Sequence, residues 1–245
     1  MQAPTSQSLL AAWELGNAEP HLIERGLALL AAAYSDTPRA DLVRLSIGER
    51  DSLLLALREQ AFGPRLTALA DCQNCGERLE FQLRAADLAL PRDHRAHEPL
   101  LLSFENYEVE FRLPNSFDLY AVREAGDLSH IRQALVDRLV SRALLHSQQI
   151  EVRKLPEAVI AAMDEKMSLA DPQAEVELDL HCEVCGHQWR MVFDIVSFLW
   201  IEVEAWAIRL LRDVHSLARA YAWREADILA MSPWRRQCYL EMLGG

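Results

Sequence analysis

The chain has 245 residues, 51% of them apolar, and a formal net charge of -12. That is enough apolar material for a sizeable core, in one large or two small domains. No run of about 18 uncharged apolar residues occurs, so no helix is expected to span a membrane, and the acidic balance repels phosphate backbones and argues against general nucleic-acid binding. The opening Met1-Gln2-Ala3-Pro4-Thr5 has no basic start followed by an apolar stretch, so no secretory signal is expected. The expected setting is a reducing cytoplasm, where Cys-x-x-Cys pairs favour metal over disulfide.

Residues 1–64 read as an N-terminal helical region. Thr5 or Ser6 is placed to cap a short helix that carries Leu9, Leu10 and Trp13 and ends at Gly16. Pro20 takes a first helical position, and Leu22, Ile23, Leu27, Leu30 and Tyr34 follow at helical spacing. Ser46-Ile47-Gly48-Glu49 has the form of a capping box, in which Ser46 and Glu49 satisfy each other's free backbone N–H groups. The helix it opens runs through Leu53, Leu54, Leu57 and Phe62 and stops at Gly63-Pro64.

Apolar and polar residues then alternate over 66–70 and 79–83, on either side of Cys72-Gln73-Asn74-Cys75-Gly76, which is the pattern of a β-hairpin. The same arrangement returns at 176–180 and 189–193, around Cys182-Glu183-Val184-Cys185-Gly186. Segments 65–90 and 174–194 are thus matched hairpins, with 91–173 as an α+β insertion between them. In that insertion the polar stretch 91–99, with His94 and His97, reads as a solvated connection, because no hydrophobic frame would fix a second metal site there. Residues 100–104 and 108–113 alternate around Glu105-Asn106-Tyr107 and give another hairpin, ended by Pro114-Asn115-Ser116, which starts a helix. Residues 127–147 read as one amphipathic helix through Leu128, Ile131, Leu135, Leu139 and Leu144, and Pro156 opens a further helix to about Leu169.

Residues 195–245 form a C-terminal helical region. From Ile195 to Tyr221 the chain carries Phe198, Leu199, Trp200, Val203, Trp206, Ile208, Leu210 and Leu211 with few breaks. So wide an apolar surface predicts a central core helix, the alternative being a helix that docks part of its length on another subunit. Two short helices follow, over 221–229 and 232–240, with Ser232 capping the second and Pro233 opening it. The fold class is therefore α+β, mostly helical, with a long C-terminal helix plus two short ones.

The two cysteine turns carry the clearest chemistry. Each Cys-x-x-Cys offers two thiolates, and the following Gly76 or Gly186 can take the positive φ that a tight turn requires. Two thiolates do not close a tetrahedral zinc site, but two such turns facing each other do, which makes Cys72, Cys75, Cys182 and Cys185 the ligands of one structural zinc in a split zinc ribbon. The separation is no obstacle. Closing a loop of the 106 residues between Cys75 and Cys182 costs roughly 4 kcal/mol, against roughly 10–16 kcal/mol for structural zinc in small fingers. Disulfides or redox dithiols within each turn are the alternatives, as is a ligand role for the flanking His181 or His187.

Enzyme signatures are missing: the sequence holds no P-loop, no G-x-G-x-x-G, no G-x-S-x-G and no H-E-x-x-H. A four-thiolate zinc has no open position for water, so neither catalysis nor a small-molecule substrate is expected. Cys238, on an apolar helix face, reads as a small hydrophobe. Trp206, Trp223, Arg224, Trp234, Arg235, Arg236 and Tyr239 combine aromatics with arginines, the composition of interface hot spots, and are the candidate partner-binding residues. Solvated pairing of Arg235 and Arg236 with Glu225 or Glu241, and core positions for the tryptophans, are the competing readings. Nothing in the sequence fixes an oligomeric state.

Several stretches, in their order along one chain, carry a resemblance. They are Leu45-Ser46-Ile47-Gly48-Glu49-Arg50-Asp51 with Ala61-Phe62-Gly63, the split cysteine pairs, Phe111-Arg112-Leu113-Pro114-Asn115-Ser116-Phe117-Asp118-Leu119, and the ending 217–229 with 235–240. Together they resemble the T-even-type baseplate hub proteins, often called hub assembly chaperones, of contractile phage tails and related injection systems. One departure is Tyr221-Ala222-Trp223, where the family pattern has Gly before the Trp; Ala is read there as a harmless helical residue. The resemblance implies a non-enzymatic part in building or completing a baseplate, with other baseplate and tail proteins as partners, in the producing cell's cytoplasm or within the assembled particle. The alternative function is a nucleic-acid-associated zinc ribbon, which would need basic residues gathered on the hairpins, whereas Arg78, Arg84 and Arg190 face Glu77, Glu80, Glu177 and Glu183.

Overall fold

The computed structural model describes residues 4–18, 21–90 and 98–243. The expectations for Pro20, His94 and His97 lie outside the described residues. The chain divides into two compact units, residues 1–37 with 195–245, and residues 38–194. The helices over 1–64 fall in both units, whereas the two cysteine hairpins and the segment between them share one.

The first unit opens with α1 (Ser6–Ala18) and α2 (Leu22–Ala33). Thr5 Oγ1 accepts from the Ser8 backbone N–H at 3.0 Å and starts α1. Gly16 does not end that helix, as expected, but lies buried inside it. A Cβ at this position would come within 2.3 Å of the Trp200 ring, so glycine is required here for close approach rather than as a stop.

In the second unit, α3 (Arg39–Arg44) leads into α4 (Ile47–Phe62). The predicted capping box is formed, with Ser46 Oγ accepting from Glu49 N at 3.1 Å and the Glu49 carboxylate accepting from Ser46 N at 2.9 Å. The next orphan donor, Gly48 N, is taken by Asp171 Oδ2 at 2.8 Å, 123 residues away in sequence. Strands β1 (Arg65–Asp71) and β2 (Arg78–Arg84) pair antiparallel, and the short α5 (Ala85–Leu88) follows. Gln173 then accepts from Leu90 N at 2.7 Å and donates to the Leu88 carbonyl at 3.1 Å.

A four-stranded antiparallel sheet comes next in the order β3 (Leu100–Phe104), β4 (Tyr107–Phe111), β5 (Val140–Leu145) and β6 (Gln148–Gln149), with α6 (Ser116–Val122) and α7 (Leu128–Leu139) between its two hairpins. The single helix expected over 127–147 is thus corrected. It ends at Leu139, Leu128 is exposed, and Leu144 lies in a strand beside Glu108. Pairing with β4 puts Val140 and Ala143 into a core formed with Val109, Phe111, Val136, Val159, Ile160 and Met163, a tertiary gain that outweighs continuation of the helix. His146 and Ser147, both at positive φ (49° and 64°), turn the chain from β5 into β6. Helix α8 (Glu157–Ala170) packs on this sheet and has Pro156 at its N-cap, and the unit closes with β7 (Glu177–His181) and β8 (Gln188–Val192), also antiparallel.

Back in the first unit, α9 (Ile195–Tyr221) has the bounds read from the sequence and buries Leu199, Trp200, Val203, Ala207, Leu210, Val214 and Leu217. It packs against α1 and α2, and against α10 (Glu225–Leu229) and α11 (Pro233–Leu243). Ser232 Oγ accepts from Arg235 N at 3.2 Å, so the predicted cap of α11 is formed. Ala222 corrects the sequence reading: it is not helical but left-handed, with φ 54°. Its N–H still bonds the Ala218 carbonyl at 2.9 Å, the arrangement in which glycine normally closes a helix.

Among the described residues, no helix is long and apolar enough to cross a membrane.

Candidate functional site

The two cysteine turns have the same backbone. Asp71 and Arg78 are the last paired residues of the first hairpin, His181 and Gln188 those of the second. In the first turn Cys72 N donates to the Glu77 carbonyl at 2.8 Å and Gly76 N to the Cys72 carbonyl at 2.9 Å. In the second, Cys182 N donates to the His187 carbonyl at 2.9 Å and Gly186 N to the Cys182 carbonyl at 2.8 Å. Gly76 and Gly186 take φ of 74° and 72°, the left-handed conformation that lets the chain double back and point both thiols the same way. The leading cysteine of each turn is buried and the trailing one exposed.

All four thiols converge. Cys72 Sγ lies 3.6 Å from Cys185 Sγ, and Cys75 Sγ lies 3.7 Å from Cys182 Sγ. The four sulfurs fall within 4.8 Å of one another. Zinc–thiolate bonds of about 2.3 Å at tetrahedral angles place neighbouring sulfurs about 3.8 Å apart, close to these separations. The cluster therefore fits a four-coordinate ion and is able to hold a metal.

Its electrostatics suit a cation. The Asn74 side chain and the His187 backbone N–H hold the Cys185 thiol down to about 6. Cys75 moves the other way: the Glu77 backbone N–H favours its thiolate, but desolvation and the three neighbouring thiols together push it up to about 12. Four thiols this close cannot all ionise against one another; a bound divalent cation supplies the charge that lets them.

His181 and His187 stand apart from this cluster. His181 Nδ1 lies 3.5 Å from Glu183, and the His187 ring stacks on Trp189 with centroids 5.6 Å apart. Among the described residues, the group able to hold a metal consists of cysteines alone. On the same hairpins Arg78 is paired with Asp71 at 3.1 Å, and Arg190 with Glu177 at 3.2 Å and Asp179 at 3.4 Å.

The C-terminal residues expected to bind partners separate into two sets. Trp206, Trp223 and Tyr239 are half-buried against Leu210, Val214, Leu217 and Ile228. Trp223 stacks on Tyr221 at 4.5 Å and meets Tyr239 edge-on at 4.8 Å. The solvated pairing read for Arg236 does not occur: the residue is only 4% exposed, donates to the Met231 carbonyl at 2.7 Å, and pairs with neither Glu225 nor Glu241. Its long apolar stem lets it enter the packing between α9 and α11. Arg224 and Arg235 are on the surface, and Trp234 is 78% exposed.

Sequence reasoning missed the anchors of the second unit. Asp118 has no exposed surface, yet it accepts two hydrogen bonds from Arg112, at 2.5 and 2.8 Å, and one from Arg138 at 3.1 Å. It also closes a capping box with Asn115. The spacing Asn115-x-x-Asp118 was the available signal.

Taken together, these features define an α+β chain in which two separated hairpins bring four cysteines into one cluster able to hold a metal ion. The family described as T4 bacteriophage base plate protein matches residues 6–200, so the chain belongs to that family. Comparison with curated proteins gives no match, and neither does comparison with solved structures.

Proposed function

We propose that the protein is a non-enzymatic component or assembly chaperone of the baseplate hub, in a contractile phage tail or related injection system. One structural zinc, held by Cys72, Cys75, Cys182 and Cys185, joins segments 65–90 and 174–194 into a split ribbon and anchors the inserted segment 91–173. Four thiolates fill the coordination sphere, so the ion has a folding role and no position for substrate water. The protein works by docking on other baseplate or tail proteins through its C-terminal helices, during assembly in the host cytoplasm or within the particle.

The observation that carries the docking surface is Trp234, a large aromatic 78% exposed at the start of α11, next to the surface residue Arg235. Exposed tryptophan beside arginine is the composition of an interface centre. Nucleic-acid binding is disfavoured because the hairpin residues Arg78 and Arg190 already have carboxylate partners. Capture of the co-encoded tail proteins by the full chain, compared with its Trp234→Ala, Arg235→Ala variant, tests the proposal. Loss of capture in a variant that melts like the parent is expected; unchanged capture rules this surface out.

A further inference from the structure

The second unit holds a cleft unlike the rest of this acidic chain. Its volume is about 760 Å³, and its lining includes Arg39, Arg44 and Arg112 above an apolar wall of Val43, Leu113 and Phe117. Among the described residues, no carboxylate lines it. The cleft forms where two of the stretches singled out in the sequence meet: Ser46 and Asn115 make an antiparallel bridge, and Ile47 N donates to the Pro114 carbonyl at 3.2 Å.

Arg44 and Arg112 are not matched one to one by carboxylates. Asp118 is shared by Arg112 and Arg138, so one carboxylate faces two guanidiniums. Arg44 has no ion-pair partner among the described residues. Arg112 donates two N–H groups to Asp118 and one to the Leu113 carbonyl at 3.1 Å, yet its side chain is still 44% exposed, which leaves the other N–H groups for a ligand. Phe117 is 57% exposed, with the Arg138 guanidinium 5.2 Å from its ring centre.

A ligand for this cleft must bring negative charge and apolar surface together. A nucleic acid also offers bases able to stack on Phe117, but a net charge of -12 repels an extended polyanion, whereas a short acidic segment of a protein carries far less charge. We infer that the cleft receives an acidic segment of a protein partner, whose carboxylates meet Arg44 and Arg112 and whose apolar side chain packs on Phe117. Guanidinium–carboxylate pairing at a partly desolvated apolar wall gives such a contact both orientation and selectivity. The cleft belongs to the 38–194 unit and the C-terminal helices to the other, so this inference stands or falls independently of the docking surface at Trp234.

Fluorescence anisotropy of the full chain, with a short labelled peptide alternating Glu and Phe, tests it. The lysine counterpart and a single-stranded oligonucleotide of equal charge serve as controls. Saturable binding of the acidic peptide alone is expected, weakened by salt and by about tenfold or more in Arg44→Glu. Phe117→Ser weakens it through the wall rather than the charge, and Trp234→Ala leaves it unchanged. No binding of the acidic peptide, equal binding by Arg44→Glu and the parent, or an Arg44-dependent preference for the oligonucleotide would each overturn the inference.

Discussion

Cys72 Sγ and Cys185 Sγ lie 3.6 Å apart although 113 positions separate them in the chain. Each sits in a turn whose geometry its own hairpin and glycine establish, so the relationship joins two locally formed pieces. In the function proposed above, a metal held by all four thiols is the step that makes them one unit. Purified without chelators, the chain is expected to carry one zinc, and Cys72→Ser to carry none, as read by elemental analysis. The hairpins of the variant lose amide-exchange protection, because a site missing one ligand no longer offsets the desolvation of the other thiolates. Metal-free parent protein would refute the site.

The same centre predicts a pH dependence. Protons and metal compete for thiolates; Cys185 titrates near 6 and Cys75 near 12 without metal, so the cation must displace protons from most of the cluster. Lower pH therefore favours release. Zinc retained at neutral pH is expected to be lost to a colorimetric chelator increasingly fast as pH falls below about 6. A release rate flat across that range would contradict a thiolate site.

Gly48 is the point where two distant segments touch. A Cβ there would lie 2.0 Å from Asp171 Oδ1 and 2.9 Å from the Ala174 backbone N. The backbone contact leaves little room to relax, and any shift breaks the bond from Gly48 N to Asp171 Oδ2. Gly48→Ala should cost roughly 2–3 kcal/mol in urea unfolding, from overpacking together with a buried carboxylate that loses one of its donors, Gly48 N, and keeps Ser46. Ala substituted at exposed Glu59 on the same helix is expected to change little.

Which parts of this were legible follows from how local their causes are. The hairpins, α9 and the α4 and α11 caps rest on alternation, helical periodicity and side chains within three positions of their partners. The cysteine cluster could be read because two identical local motifs imply a common ligand. β5 could not: Val140–Leu145 continues the apolar spacing of α7, and only the free edge of β4 makes it a strand. The turn after it uses His146 and Ser147 at positive φ, where the usual signal would be Asn-Gly. Gly16 looked like a helix end because the Trp200 ring that requires it is far along the chain. Arg236 looked like a surface charge because sequence shows its charge and not the packing around its stem.

Asp118 should set part of the acid stability of the second unit. Burial alone would raise its carboxyl, but hydrogen bonding and charge from Arg112, with the Asn115 backbone and Arg138, hold it below the usual range. A carboxyl depressed by folding contributes stability above its unfolded value and loses it as pH falls through the folded one. That contribution is therefore intact at pH 7, begins to fade near about pH 4, and is gone only below the depressed folded value. Asp118→Asn should cost on the order of 3 kcal/mol at pH 7, since it strips two arginines of their carboxylate. The penalty should shrink as the parent is acidified. A penalty that stays constant from neutral to acid pH would show that packing, not charge, is what the residue supplies.

Ala222 offers a test in which the sign of the effect matters. It closes α9 at φ 54°, and the residue is exposed, so a change there disturbs no packing. An L-residue with a Cβ pays about 1 kcal/mol to hold a left-handed conformation that glycine adopts freely. Ala222→Gly is therefore expected to stabilise the chain by about 0.5–1 kcal/mol, read as a raised thermal midpoint. Two positions earlier, exposed Ala220 lies within regular helix, where the same exchange should destabilise by about 1 kcal/mol through lost helix propensity. If both substitutions lowered the midpoint, the chain at 222 would be helical in solution, and the break between α9 and α10 would have to lie elsewhere.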